Sequence, residues 1–250
     1  MTENTDFSNI PDNHKTCSDL SFGKLVRGYD HKLYVIKEFP RDKTGLFTAL
    51  KNLKSPHYPK IHEINFDGSK TTVVMEYVEG KTLLTYLKDN KVSIKDVECI
   101  FEQLLDAIEQ LHNAGIVHKD IKPANIVFTE AGKLKLIDFG TSYLPDADLT
   151  EYIGTVGYAA PEQFISGRTD ARADIFSLGV TLEKMLGVAG KDEFLMAVAR
   201  KCENCRLEER YQTIEEIRNE IKKYNLSRMI IPSVVLLATV AIIALLIILL

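Results

Sequence analysis

Apolar and polar positions alternate from Leu33 to Phe39, and β-branched residues dominate Thr71 to Val74, so both stretches predict strands. Between them, Leu50 and Leu53 mark the apolar face of a helix. Ser93-Ile-Lys-Asp96 has the spacing of a capping box. Val97, Ile100, Phe101, Leu104, Ile108 and Leu111 then recur at intervals of three and four, which predicts an amphipathic helix ending near Gly115. Shorter apolar runs follow at Ile116 and Val117, at Ile126 to Phe128, and at Leu134, Leu136 and Ile137. They alternate with polar clusters and predict strands joined by tight loops. Thr213-Ile-Glu-Glu216 predicts a second capping box, opening a last helix with Ile214, Ile217 and Ile221 inward. The patterning stops at Ile230, and the 21 residues to Leu250 carry no charge.

With 250 residues, the chain has room for one two-lobed domain and is too short for two ordinary domains plus extras. A net charge of −4 gives no electrostatic footprint for nucleic acid, which is not expected as a partner. The four cysteines, Cys17, Cys99, Cys202 and Cys205, are too scattered for a disulfide framework and point to a reducing compartment. Cys202 and Cys205 have metal-ligand spacing, but no second pair accompanies them, so both are expected on a helix face. Residues 1–15 are polar, have no signal-peptide pattern and are expected to form a disordered lead.

The candidate chemistry lies in His118-Lys119-Asp120-Ile121-Lys122-Pro123-Ala124-Asn125 and, about a dozen residues on, Asp138-Phe139-Gly140. Asp120 is placed to accept a hydroxyl proton and Lys122 to face a transferred phosphate, while Asn125 and Asp138 offer hard oxygen ligands suited to Mg²⁺. Phosphoryl transfer suits such a set, because it asks for positioning and charge neutralisation more than covalent work.

These two motifs, in this order, closely resemble the catalytic core of the eukaryotic-type (Hanks-type) serine/threonine protein kinases. The resemblance implies an α+β bilobal kinase fold over residues 16–224, with a β-rich N-lobe (16–78) and a larger helical C-lobe (79–224). It implies ATP and Mg²⁺ as cofactors and proteins with Ser/Thr acceptors as substrates. Tyr34-Val35-Ile36-Lys37 is similar to the family's Val-Ala-Ile-Lys, which makes Lys37 the ligand of the ATP phosphates. Met75-Glu76-Tyr77-Val78 resembles the hinge, with Met75 behind the adenine and the Glu76 and Val78 backbones along its edge. Leu25 would roof the adenine, and Val35 and Val127 are also assigned to the nucleotide site. Thr155, before Ala160-Pro161-Glu162, would contact Asp120, and Arg210 would pair with Glu162. The helix opened by Asp174 would anchor the catalytic loop. Thr141, Ser142, Thr150 and Tyr152 read as exposed hydroxyls of an activation segment, with Lys119 as a partner for an added phosphate.

In its N-lobe the chain departs from the family in two places. Only Gly23 remains of the glycine-rich hairpin, Ser18 and Leu20 standing where the first two glycines would be. In the helix after Lys37, Leu46 occupies the position of the glutamate that pairs with that lysine, leaving Asp42 or Glu38 as possible substitutes. The stretch from Gly187 to Arg210 is also short, which implies a reduced docking helix.

The uncharged Ile230–Leu250 stretch is long enough, at 1.5 Å per residue, to span a hydrocarbon core of ~30 Å. It is expected to form one C-terminal transmembrane helix after a juxtamembrane linker at 225–229. Lys222, Lys223 and Arg228 just before it favour the cytoplasmic side for the kinase-like domain, and the stretch is expected to be a single-pass tail anchor, the protein not being expected to be a receptor. The degraded glycine loop and the missing glutamate leave one rival, a pseudokinase or nucleotide-binding scaffold at the membrane. A small-molecule kinase is a second, which the Gly154–Glu162 segment disfavours.

Overall fold

A computed structural model describes residues 16–20, 23–144, 154–165, 169–228 and 230. The lead at 1–15, Thr150, Tyr152 and residues 231–250 of the apolar stretch lie outside the described residues. Among the described residues no helix is long and apolar enough to cross a membrane.

Five antiparallel strands form the first sheet: β1 (Thr16–Leu20), β2 (Gly23–Arg27), β3 (Leu33–Phe39), β4 (Ile61–Phe66) and β5 (Thr71–Glu76). Their order is β1-β2-β3-β5-β4, which puts β3 in the centre. The alternation in β3 serves two apolar surfaces: Val35 faces the main core, while Tyr34 and Ile36 join Val26 and Val74 in a second cluster. The degraded hairpin still forms, with Leu20 opposite Gly23. A Cβ on Gly23 would stand 2.7 Å from the Ile36 carbonyl oxygen, so glycine here lets β2 close on β3. Helix α1 (Thr44–Leu53) crosses the sheet and buries Leu46, Phe47 and Leu50.

The C-lobe begins with β6 (Lys81–Thr82) and α2 (Leu83–Asp89). Gly80 precedes β6, and a Cβ there would collide with the Phe128 carbonyl oxygen, so the chain leaving the N-lobe passes flush against β7 (Ile126–Phe128). Helix α3 (Ile94–Asn113) starts in the expected capping box at Ser93 and Asp96 and buries all six residues of the predicted stripe. Each fully buried aliphatic side chain stabilises by about 1.5–3 kcal/mol, against about 0.2–1 for an exposed ion pair. The stripe, not the surface charges, therefore holds α3 in place. A single 3₁₀ turn (Pro123–Asn125), β7 and β8 (Leu134–Leu136) follow, with β6-β7-β8 as a small second sheet.

Helix α4 (Pro161–Ile165) leads to α5 (Arg172–Ala189), which is buried along most of its length. Between Gly187 and Arg210 the described chain adds one further helix, α6 (Glu193–Cys202). It packs so closely on α5 that a Cβ at Gly179 would meet the Cys202 Cβ at 2.5 Å. Cys202 is buried, while Cys205 is exposed in the turn beyond α6, so only the first sits on a helix face.

The last helix runs over residues 214–228 and includes most of the stretch expected as a linker. Its cap differs from the predicted box. Thr213 Oγ1 accepts from the Glu216 N–H at 3.3 Å, but the Glu216 carboxylate accepts from the Gln212 N–H, one residue earlier. Arg218 ties this helix to α3 by reaching Glu102, Asp106 and Glu109.

Candidate active site

The loop from Val117 to Asn125 is fixed from below by α5. Asp174, fully buried in the first turn of α5, accepts the His118 and Lys119 amides at 2.8 Å each and His112 Nε2 at 3.0 Å. Lys119 is thereby held at φ 67°, a conformation rare for a side chain this long. His118 is buried, and burial lowers its pKa, so the ring stays neutral and its Nδ1 accepts the Asp120 N–H at 3.3 Å.

Above this base, four predicted residues form one network. Thr155 Oγ1 donates to Asp120 Oδ1 at 2.6 Å, and Lys122 Nζ donates to Asp120 Oδ2 and to Thr155 Oγ1 at 2.7 Å each. Asn125 Nδ2 donates to Asp120 Oδ2 at 2.8 Å and to its carbonyl at 2.9 Å. Burial pushes the Asp120 pKa up, but the hydrogen bonds from Lys122, Thr155 and Asn125 and the Lys122 charge outweigh it. The carboxyl ends below its ordinary range and is ionised at neutral pH.

Asp138 joins the network through the backbone: the Ile137 N–H donates to the Asn125 carbonyl at 2.8 Å, so the next residue stands beside Asn125. Asp138 has φ 65°, and its Oδ1 accepts the Gly140 N–H at 3.2 Å and an ion pair from Lys37 Nζ. That pair answers how Lys37 is held. Neither proposed substitute reaches it: Glu38 pairs with Lys70 at 2.6 Å on the surface, and Asp42 accepts the Thr44 N–H at 2.8 Å before α1. Leu46 is buried in the core.

A cleft between the lobes is lined by Val35, Lys37, Met75, Glu76, Val78, Ile137, Asp138 and Phe139, among others. Six of these are predicted site residues. Three others stand outside that lining. Gly23 serves the sheet, Leu25 pairs with Val35 from β2, and Val127 is buried in β7 near Gly80. The hinge begins inside β5, where Glu76 still pairs with Tyr34. Lys135, on β8, donates to both Glu76 oxygens at 2.7 and 2.8 Å and ties the hinge to the C-lobe.

The cleft suits nucleotide and metal. The apolar walls Val35, Met75 and Ile137 have the chemistry that a flat base asks for, and Lys37 supplies a cation for phosphate. Asn125 and Asp138 offer two oxygen donors, fitting Mg²⁺, which keeps its remaining positions for water and phosphate. Among the described residues no three His, Cys, Asp or Glu side chains gather as for a metal, Cys202 and Cys205 included.

Two expectations for the activation segment change. Ser142 is buried, and its Oγ donates to the His118 carbonyl at 3.1 Å. Thr141 Oγ1 makes the same bond at 3.1 Å, so both hydroxyls brace the loop from within. Lys119 is buried, with Nζ 5.4 Å from the Tyr143 ring centroid. The anchoring expected of the Asp174 helix is carried by Asp174 itself. His112, Lys135 and Lys43 were not read as site residues, and they act across long sequence separations that no local pattern signals.

The fold is two-lobed, with Lys37 and Asp138 lining the cleft and the ionised Asp120 held with Lys122, Thr155 and Asn125 in the adjoining loop network. The chain belongs to the protein kinase domain family, which matches residues 21–237. It is 32% identical to CBL-interacting serine/threonine-protein kinase 21 of Arabidopsis thaliana, covering 69% of this chain and 45% of that protein. A probable serine/threonine-protein kinase of Clostridium perfringens is 34% identical, over 61% of this chain and 22% of its own. The serine/threonine-protein kinase cds1 of Schizosaccharomyces pombe is 38% identical, over 54% and 32%. The chain thus spans less than half the length of these relatives.

Proposed function

We propose that this chain transfers the γ-phosphoryl group of ATP to serine and threonine hydroxyls of proteins. The observation that carries the reading is the complete Asp120–Lys122–Thr155–Asn125 network next to the Lys37–Asp138 pair. Mg²⁺, when bound, supplies charge neutralisation on the phosphates, and Asn125 and Asp138 are the residues that would hold it. Asp120, ionised and fixed by three donors, orients the acceptor hydroxyl and takes its proton as the new oxygen–phosphorus bond forms and the bond from the γ-phosphorus to the β–γ bridging oxygen breaks, releasing ADP. Lys122 presents its charge at Asp120 Oδ2, where the transferred group passes. Lys37 fixes Asp138 and faces the remaining phosphates. Support for Ser/Thr acceptors comes from Lys122 two residues after Asp120, Gly154-Thr155 before the Ala-Pro-Glu, and the names of the relatives. A pseudokinase gains nothing from keeping this network assembled.

The test is transfer of label from γ-labelled ATP with Mg²⁺ to a generic basic protein. Asp120→Asn is expected to lower the rate about 10²–10⁴-fold while ATP binding persists. Transfer at the wild-type rate in that variant overturns the assignment. ATP binding without any transfer by the wild type favours the scaffold.

The same chain is proposed to sit at a membrane through Ile230–Leu250, with the catalytic domain on the cytoplasmic side. The uncharged 21 residues support this, as do the exposed Lys222, Lys223 and Arg228 on the helix that precedes them. Full-length protein is expected to float with liposomes at high salt, and a chain ending at Ser227 to stay behind. Equal behaviour of the two sinks the anchor.

A further inference from the structure

Helix α1 reads TGLFTALKNL and carries no carboxylate, so no side chain within it can pair with Lys37. Its attachment to the metal-binding loop comes instead from Lys43, the residue before its first turn. The Lys43 N–H donates to Thr71 Oγ1 at 2.8 Å, and that hydroxyl donates to the Arg41 carbonyl at 2.7 Å, which fixes the start of α1 on β5. The side chain then runs past the Phe39 ring, 5.4 Å from Nζ, into the C-lobe side of the cleft. There Nζ donates to the Gly140 carbonyl at 2.5 Å and to the Ser142 carbonyl at 3.0 Å.

Lys43 is only 8% exposed. Burying an ammonium is costly unless its donors are satisfied, and an apolar residue would fill the same space without that cost. The charge is therefore spent on geometry. The Gly140 N–H donates to Asp138 Oδ1, the oxygen that also receives Lys37. Lys43, Gly140, Asp138 and Lys37 thus form a continuous connection from α1 through the metal-binding loop to β3. Both carbonyls held by Lys43 lie within four residues of Asp138, whose φ of 65° needs support from its surroundings.

We propose that Lys43 is a positioning residue. From the start of α1, through two backbone carbonyls, it performs the coupling for which the family uses an acidic residue inside the helix. The inference rests on the kinase reading above.

The experiment compares wild type, Lys43→Met, Lys43→Arg and Lys51→Met in steady-state transfer with Mg²⁺·ATP, and in backbone hydrogen exchange over residues 137–142. Lys51 donates to the His62 carbonyl at 2.7 Å from the far end of α1 and controls for loss of any lysine–carbonyl bond. Lys43→Met is expected to lower kcat roughly 10–100-fold with the acceptor KM within about twofold, and to speed exchange at 137–142. Lys43→Arg, which keeps charge and donors, is expected to recover most of the rate, and Lys51→Met to match wild type. If Lys43→Met fails to fold, Lys43→Gln, with a shorter donor, takes its place. Wild-type kcat and unchanged exchange in the Met or Gln variant overturn the proposal. So does a drop in thermal stability with kcat and exchange at 137–142 unchanged, since that marks a merely structural lysine. Absence of transfer by wild type overturns the kinase reading instead, and the exchange comparison then decides the Lys43 link by itself.

Discussion

Arg210 has a fully buried side chain and donates to both Glu162 oxygens, at 2.7 and 3.2 Å, and to the Asn204 and Arg172 carbonyls. It binds the start of α4 to the turn after α6, so the placement of α4 depends on a bond between residues 48 apart in sequence. Removing one partner of a buried pair costs far more than the pair contributes over an apolar replacement, because the other charge keeps its desolvation penalty. Arg210→Met is therefore expected to destabilise the fold by about 3–5 kcal/mol, read by urea denaturation. Adding Glu162→Gln should recover part of the loss. The pairing itself was legible in the sequence, since it follows from the family motif at Ala160-Pro161-Glu162. Lys43 was not legible: a lysine before a helix resembles any solvated lysine until the fold places two carbonyls around it.

At the scale of elements, α5 and α6 meet where a Cβ at Gly179 would touch Cys202, Ala199 and Glu203. Glu203 ends α6 as its C-cap, at the negative end of the helix dipole. Burial first, and then the charge of Glu183 on α5, push its pKa up to about 7. Between the ordinary glutamate value and about 7, the folded chain holds a proton that the unfolded chain has released. Stability from this group is fully present at low pH and is lost as pH rises through about 7. Glu203→Gln should remove that loss, so the Tm of the variant gains on wild type from pH 5 to pH 8. A difference that is constant with pH would refute this account. Of the helices of this lobe, α3 was readable from periodicity and the last from its cap and isoleucine spacing, while α5 was expected from the family resemblance. The mutual approach of α5 and α6 was not, because a glycine and a cysteine 23 residues apart give no periodic signal.

For the whole molecule, the residue types and their order determined the class of fold and the chemistry. The β3 alternation, the α3 stripe and the two polar motifs are local patterns, and local patterns survive in sequence because the same few residues make both the element and its signal. The polar motifs singled out Asn125 and Asp138, and the family resemblance they carry added Lys37, Met75, Glu76 and Val78; the fold brings all six into one cleft or the loop network beside it. Tertiary structure decided what holds that set together. Lys37 pairs with Asp138, 101 residues away; Glu76 is tied to Lys135, 59 away; and Lys43 reaches Gly140, 97 away. It also turned Thr141 and Ser142 from exposed hydroxyls into internal braces, and gave Gly23 a packing role in the sheet. Such bonds depend on where two distant backbone segments come to lie, and burial and hydrogen bonding select those partners only once the chain has closed on itself.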